Sequence, residues 1–311
     1  VIGTQTEADI TVTGISADPE AVRSGDLFFA LPGPAQTQAA QTAVRNGAAA
    51  LICEEGGQDC LGGQGRLPLL RVANAKAALY DLAGYYRRQF TIPVVGVMGS
   101  SGKSCTQSMT AQVLGSRYRV LTNWRSDKRA CQFPLSLFEL DSGTEAAVLE
   151  LSPDSPEVFA CQAKAARPTV SVVTNIGLPY AKEFGSKEKL LEATLRVVSA
   201  MPREALAVCN GDDRLLYNSA PRKIPVYYFG VENKLCRFKS RDIGLVQGQT
   251  RLTVDYGVGE TQIQLPCKGR YGVYNALAAF TVGFLLGIDP EEAAQALRGQ
   301  GSCLRIQAAG L

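Results

Sequence analysis

The stretch Val94-Val95-Gly96-Val97-Met98-Gly99-Ser100-Ser101-Gly102-Lys103-Ser104 decides the reading of this chain. The apolar run Val94–Met98, bounded by Pro93 and Gly99, predicts a buried strand. A glycine- and serine-rich turn follows, and then a helix from Lys103 to about Leu114. Strand, loop and helix in that order are the setting that a phosphate-binding loop requires. Glycines let backbone N–H groups curl around phosphate oxygens. Lys103 would neutralise β/γ-phosphate charge, and the Ser104 hydroxyl would hold Mg²⁺. Val97 stands where the standard spacing has its first glycine, so the loop reads G-x-x-G-K-S. A glycine-rich turn with no ligand is the competing explanation.

Further strands are expected at Ala146–Leu151, Thr169–Asn175 and Ala205–Asn210, separated by helical stretches such as Lys187–Ala200. Apolar strands alternating with helices predict an α/β fold, a mostly parallel sheet flanked by helices. A nucleotide site also needs a carboxylate at a neighbouring strand end for the metal. Glu150 closes Ala146-Ala147-Val148-Leu149 and is placed for that. On spacing alone, a surface acid at a strand end is an equal reading.

Residues 1–90 predict a separate small α/β unit, with strands at Asp26–Leu31, Ala48–Cys53 and Leu69–Val72. Its helices are expected at Gln36–Asn46, closed by Gly47, and at Ala75–Arg88. Gln89–Pro93 is the linker, and residues 91–311 form the second unit. After Pro225 the segments Val226–Phe229, Arg251–Tyr256 and Thr261–Leu265 predict a short antiparallel section joined by glycine turns. Val273–Leu286 is an apolar helix ending at Gly287. Asp289-Pro290-Glu291-Glu292 carries the N-cap, first-turn proline and acids of a helix start, and Gly299 marks its end.

The chain contains no histidine. This excludes Ser-His-Asp and Cys-His nucleophiles, HExxH zinc sites and any imidazole acid, base or pH switch. With 32 Lys and Arg against 29 Asp and Glu, the net charge is +3, too mild to point to nucleic acid or a membrane surface. The 9 cysteines are odd in number, dispersed and without a C-x-x-C pair, so neither a zinc ribbon nor a disulfide framework is expected. Most read as small buried residues in a reducing cytosol. The chain opens on Val1, and no signal peptide is read there. The longest uncharged apolar run, Ala276–Ile288, is too short to span a bilayer.

Taken together, several motifs resemble the ATP-dependent Mur ligases, which add amino acids or peptides to UDP-MurNAc precursors of peptidoglycan. They are the loop Gly99–Ser104, Leu149-Glu150-Leu151, Thr174-Asn175-Ile176-Gly177, Phe184-Gly185-Ser186-Lys187-Glu188, Asn210-Gly211-Asp212-Asp213, Asn275-Ala276-Leu277-Ala278-Ala279 and Leu304-Arg305-Ile306-Gln307. Ser24–Leu31 is similar to the N-terminal domain of the MurE and MurF branches. Tyr86-Arg87-Arg88 and Phe133-Pro134-Leu135-Ser136-Leu137 lean towards MurF, the D-Ala-D-Ala-adding branch. The resemblance implies ATP and Mg as cofactors and a UDP-sugar-peptide or a protein as partner. It implies nucleotide contacts from Gly99, Ser100, Ser101, Gly102, Lys103, Ser104, Asn175, Asn275 and Arg305. Lys103 and Glu150 would be catalytic, and Ser104 and Glu150 would hold the metal.

The sequence also departs from the family pattern. The family's metal-binding His is Tyr180 here; its carbamoylated Lys aligns with Thr194, and the following Glu with Arg196. A second His, near the adenine, is Tyr271. The D-S-R of the uridine site is Asp18-Pro19-Glu20, the D-G-H loop between Gly33 and Gly47 is missing, and the asparagine pair of the substrate loop is absent from Asn123–Gln132. The chain is expected to stop where the family's C-terminal domain begins. A phenol with pKa ~10 is a poor Mg²⁺ ligand at neutral pH. The expected function is therefore a degenerate nucleotide-binding relative in the cytoplasm, ahead of an active ligase completed by a C-terminal domain or a partner chain. A folylpolyglutamate-synthetase-like ligase is disfavoured by the N-terminal segment.

Overall fold

The computed structural model describes residues 3–4, 10–55, 67–123, 131–219, 223–266 and 269–298. The expectations for Gly299, Arg305, Cys60, Cys267, Cys303 and most of the 124–130 loop lie outside the described residues. Packing divides the chain into two units, Val1–Gln89 with Arg125–Glu139, and Phe90–Trp124 with Leu140–Leu311.

The first unit contains, in chain order, β1 (Gly3–Thr4), β2 (Gly14–Ser16), β3 (Asp26–Phe29), α1 (Gln36–Arg45), β4 (Ala50–Glu54), β5 (Leu69–Val72) and α2 (Ala75–Arg87). The sheet order is β1-β5-β4-β3-β2, parallel except for β1 against β5. Consecutive strand residues face opposite sides of a sheet. In β3, Phe28 packs with Ala40, Ala43 and Leu51 on one face, while Leu27 and Phe29 pack with Ile52, Ala75 and Leu79 on the other. Both faces are covered, which is why the strand reads as an unbroken apolar run.

The second unit begins with β6 (Val94–Met98), α3 (Lys103–Gly115) and β7 (Val120–Thr122). The chain then contributes α4 (Gln132–Leu137) to the first unit. Sequence alone assigned this segment to the second unit. Its Phe133 stacks on Tyr80 at 6.2 Å and Phe138 meets Tyr86 at 5.5 Å, so aromatic burial against α2 decides its membership.

The second unit resumes with β8 (Ala146–Glu150), α5 (Pro156–Ala166), β9 (Val170–Val173), α6 (Ala181–Phe184), α7 (Lys187–Ser199), β10 (Leu206–Asn210) and α8 (Arg214–Asn218). Then follow β11 (Val226–Gly230), β12 (Phe238–Val246), β13 (Gln249–Asp255), β14 (Glu260–Leu265), α9 (Arg270–Leu285) and α10 (Pro290–Arg298). The sheet order is β14-β13-β12-β11-β10-β9-β6-β8-β7. The expectation that Val226–Phe229 is antiparallel is corrected: β11 runs parallel to both β10 and β12. Helix α8 returns the chain across the sheet before β11, and alternation of side chains carries no information about strand direction. In this sheet, β12 with β13 and β13 with β14 pair antiparallel. Strand β12 escaped the sequence reading because its pattern is broken at a bulge, where Asp242 has φ 53°.

The core of this unit lies between the sheet and helices α3, α9 and α10. Asp289 caps α10, its Oδ1 accepting from the N–H groups of Glu291 and Glu292 at 2.9 and 3.3 Å. Among the described residues, no helix is long and apolar enough to cross a membrane. Cys53, Cys209 and Cys236 are buried, whereas Cys105, Cys131 and Cys161 are half-buried.

Two outcomes test this core. Phe238 is fully buried and its ring lies 5.6 Å from that of Phe284, so Phe238→Ala should cost about 3–5 kcal/mol in urea unfolding. Burial pushes the Cys209 and Cys236 thiols up to about 12. Mass-spectrometric alkylation of the folded protein at pH 8 should therefore leave both unmodified.

Candidate nucleotide site

Strand β6 lies between β8 and β9, and the chain leaves it in both directions across the sheet. Ligands of open α/β sheets settle outside the carboxyl ends of the strands at such a switch point. The carboxyl ends here carry Gly99, Glu150 and Thr174.

Two loop glycines are required by geometry. Gly99 has φ +129°, and a Cβ there would lie 2.2 Å from Thr174 Oγ1. Gly102, the N-cap of α3, has φ +79°, and its Cβ would stand 2.8 Å from Asn275 Oδ1. Both asparagines expected at the nucleotide thus meet the loop. Asn275 Oδ1 also accepts from Thr106 Oγ1 at 3.1 Å. Asn175 grips Ser101: Oδ1 accepts from its N–H and its hydroxyl, both at 3.1 Å, and Nδ2 donates to its carbonyl at 2.9 Å. Thr174 Oγ1 donates to that carbonyl at 2.7 Å. Ser100 N–H donates to Asn175 O at 3.0 Å, and Ser100 Oγ accepts from Gly177 N–H at 2.7 Å.

Lys103 and Ser104 open α3. The Ser104 hydroxyl donates to Glu150 Oε2 at 2.7 Å, and Lys103 Nζ lies 4.0 Å from Glu150 Oε1. The Lys103 side chain is only 6% exposed. Burial pulls its ammonium below the ordinary lysine value, opposed by the charges of Glu150 and Asp154. A hydroxyl and a carboxylate at a loop that would hold phosphate suit one Mg²⁺, which takes few protein oxygens and completes its shell with phosphate and water. Among the described residues, no group of three or more Cys, Asp or Glu is arranged to hold a metal ion.

Tyr180 occupies the space beside Lys103. The ammonium sits 4.4 Å from the centre of its ring and donates to its hydroxyl at 3.4 Å. Burial, then the charges of Asp154, Glu150 and Glu183, push the phenol above its ordinary value, so it stays neutral. The other departures have different surroundings. Thr194 is buried, with its hydroxyl donating to Leu190 O at 2.8 Å; Arg196 is exposed and pairs with Glu192 at 2.6 Å. Tyr271 is 83% exposed on the first turn of α9.

Two features have no clear sequence signal. Asn123 holds the backbone of Glu150, described below. Asp212 accepts from the N–H groups of Val231, Glu232 and Asn233 and from Tyr274 Oη, at 2.7–3.0 Å. Its neighbour Asp213 accepts from Ile176 N–H at 2.7 Å, tying the start of α8 to the segment after β9. The Asn-Gly-Asp-Asp pattern marked the place but not these partners. In the first unit, a cavity of about 760 Å³ is lined by Ser16, Asp18, Arg23, Asp26, Leu135 and Phe138, among others. Asp18 Oδ1 there accepts from Glu20 N–H at 3.1 Å.

A parallel sheet whose switch-point strand runs through a glycine loop into a helix headed by Lys-Ser defines a phosphate-loop domain. Residues 97–283 match the Mur ligase middle domain, and the chain belongs to the Mur ligase family. Within it the chain is MurF-like. It is 31% identical over 231 residues to the UDP-N-acetylmuramoyl-tripeptide–D-alanyl-D-alanine ligase of Bacillus subtilis (strain 168), covering 74% of this chain and 50% of that protein. The Escherichia coli (strain K12) ligase of the same name is 28% identical over 285 residues, covering 90% and 62%. The crystal structure of MurF ligase from Thermotoga maritima in complex with ADP superimposes with a TM-score of 0.81 at 26% identity, covering 92% of this chain and 66% of that one. A MurF structure from Acinetobacter baumannii shares the fold, with a TM-score of 0.83 at 24% identity, 94% of this chain and 64% of that one. The chain thus spans about half to two-thirds of the length of these relatives.

The Asp212 cluster predicts an acid limb of stability. Partial burial works to raise its carboxyl, but the donors from Glu232, Val231, Asn233 and Tyr274 outweigh it and hold the carboxyl below the ordinary range. Stability from a depressed carboxylate is complete above its unfolded value, ~4, and fades as pH falls through the lower folded value. Urea midpoints of the protein and of Asp212→Asn should therefore differ at pH 7 and converge towards pH 2.

Proposed function

We propose that the second unit binds Mg·ATP through Gly99–Ser104 and Glu150, and that the chain is a Mur ligase relative with little or no ligase activity. The observation that supports binding is the meeting of Lys103, Ser104 and Glu150 at the switch point. In this reading, loop N–H groups cradle the phosphates and Lys103 offsets their charge. Ser104 and Glu150 would hold the cation, which would supply neutralisation of phosphate charge. Gly99, Ser100, Ser101 and Gly102 shape the cradle, while Asn175 and Asn275 keep its form. Cytoplasmic residence, where nucleotide is supplied, is part of this proposal.

Weakened chemistry is supported by Tyr180. The family resemblance puts a metal-binding His at this position, and the neutral phenol instead spends its contacts on Lys103. Thr194 and Arg196 direct their polar atoms to their own helix. Transfer of phosphate to a substrate carboxylate, followed by amine attack on the acyl phosphate, needs both charge neutralisation and alignment of the acceptor.

A second reading is an active carboxylate–amine ligase completed by further chain or by a partner. It is favoured by the curated relatives, which are UDP-N-acetylmuramoyl-tripeptide–D-alanyl-D-alanine ligases about one and a half to two times as long as the matched region. In that case the UDP-sugar-peptide would belong to the first unit.

Calorimetry should register Mg·ATP binding, and Lys103→Ala should abolish it; absence of heat from the unmutated protein would sink the nucleotide site. Incubation with UDP-MurNAc-tripeptide, D-Ala-D-Ala and Mg·ATP should yield no phosphate. Phosphate release coupled to peptide product would overturn the loss of activity and establish the second reading.

A further inference from the structure

Edge strand β7 ends where its partner still has two residues to run. The last ladder pair is Thr122 with Val148, leaving Glu150 beyond the end of β7. The side chain of Asn123 takes over from the missing backbone. Its Oδ1 accepts from Glu150 N–H at 2.8 Å and its Nδ2 donates to Glu150 C=O at 3.0 Å. An amide side chain thereby satisfies both main-chain groups of the residue whose carboxylate meets Ser104.

Asn123 is itself held. Gln107 is 1% exposed on α3, and its Nε2 donates to Asn123 Oδ1 at 2.5 Å and to Val148 C=O at 2.9 Å. Gln107 follows Ser104 by one helical turn, so the two side chains lie on one face of α3. The upper member of that face touches the Glu150 carboxylate at 2.7 Å, and the lower grips the residue that holds the Glu150 backbone. Helix α3, Asn123 and Glu150 form a closed circuit of hydrogen bonds.

We propose that Asn123 is a positioning residue that sets the Glu150 carboxylate against Ser104 for a divalent cation bound with nucleotide. This rests on the nucleotide-and-metal reading above. Without the amide, the half-buried N–H and C=O of Glu150 lose their partners and the strand end is released to turn. Because β7 is the outermost strand of the sheet, the rest of the ladder does not depend on Asn123. Loss of the amide should therefore be felt by the metal and not by the phosphate loop, whose Ser101 is held separately by Thr174 and Asn175.

The test separates metal from nucleotide. Mn²⁺ serves as the paramagnetic probe, with binding in the presence of ATP followed by electron paramagnetic resonance; ATP binding in EDTA is followed by calorimetry. Asn123→Ala should weaken Mn²⁺ binding about tenfold, as for two hydrogen bonds lost at a half-buried site, while metal-free ATP affinity stays within about twofold. Asn123→Asp keeps the acceptor for Glu150 N–H and loses the donor. It should fold and fall between the two, and it carries the test if Asn123→Ala does not fold. Unchanged Mn²⁺ affinity overturns the positioning role, as does an equal loss in both arms, which marks a general structural effect. If the unmutated protein binds no ATP in either arm, the nucleotide reading fails first and this role with it. If it binds normally and only the variant arm disagrees, the positioning role alone falls.

Discussion

The closest constraint in the second unit is the approach of Gly99 to Thr174. A side chain at Gly99 would collide with the Thr174 hydroxyl at 2.2 Å and with the backbone of Asn175 at 3.0 Å. Because no side chain is there, the end of β6 lies directly against the end of β9, and Thr174 and Asn175 take hold of Ser101. That grip shapes the loop, and the loop fixes where α3 starts. Lys103 and Ser104 are aimed at Glu150 because α3 starts there. Gly102, with its left-handed backbone, repeats the device one turn later against Asn275. A preformed cradle matters physically, since groups already ordered add no ordering cost when phosphate arrives.

Charge balance within this site centres on Lys103. Lys103 is buried with Glu150 as its near carboxylate and Tyr180 across its ammonium. A buried lysine without phosphate must find compensation, and an aromatic face offers it without adding charge. Tyr180 supplies that aromatic face to the Lys103 ammonium.

Much of the architecture was legible because its signals are local. Val94–Met98 coincides with an observed strand, since a continuous apolar run marks a strand covered on both faces. Gly47 and Asp289 bounded their helices through backbone freedom and capping. Strand β12 was not legible, because a bulge and a glycine interrupt its alternation. The direction of β11 was not legible either, because it depends on the crossover through α8. Residues 131–139 joined the first unit through Phe133 and Phe138, whose partners lie far away in sequence.

At the site, the sequence by itself determined the chemistry available: a glycine loop, one lysine, one hydroxyl, one carboxylate and no imidazole. Such information resides in residue type and short spacing. Only the tertiary structure decided how those groups are held. The partners of Asn123, Asn175 and Asp212 come from separate strands and helices. A side-chain amide or carboxylate can satisfy any backbone group that packing brings within about 3 Å, and no spacing rule specifies which one that will be.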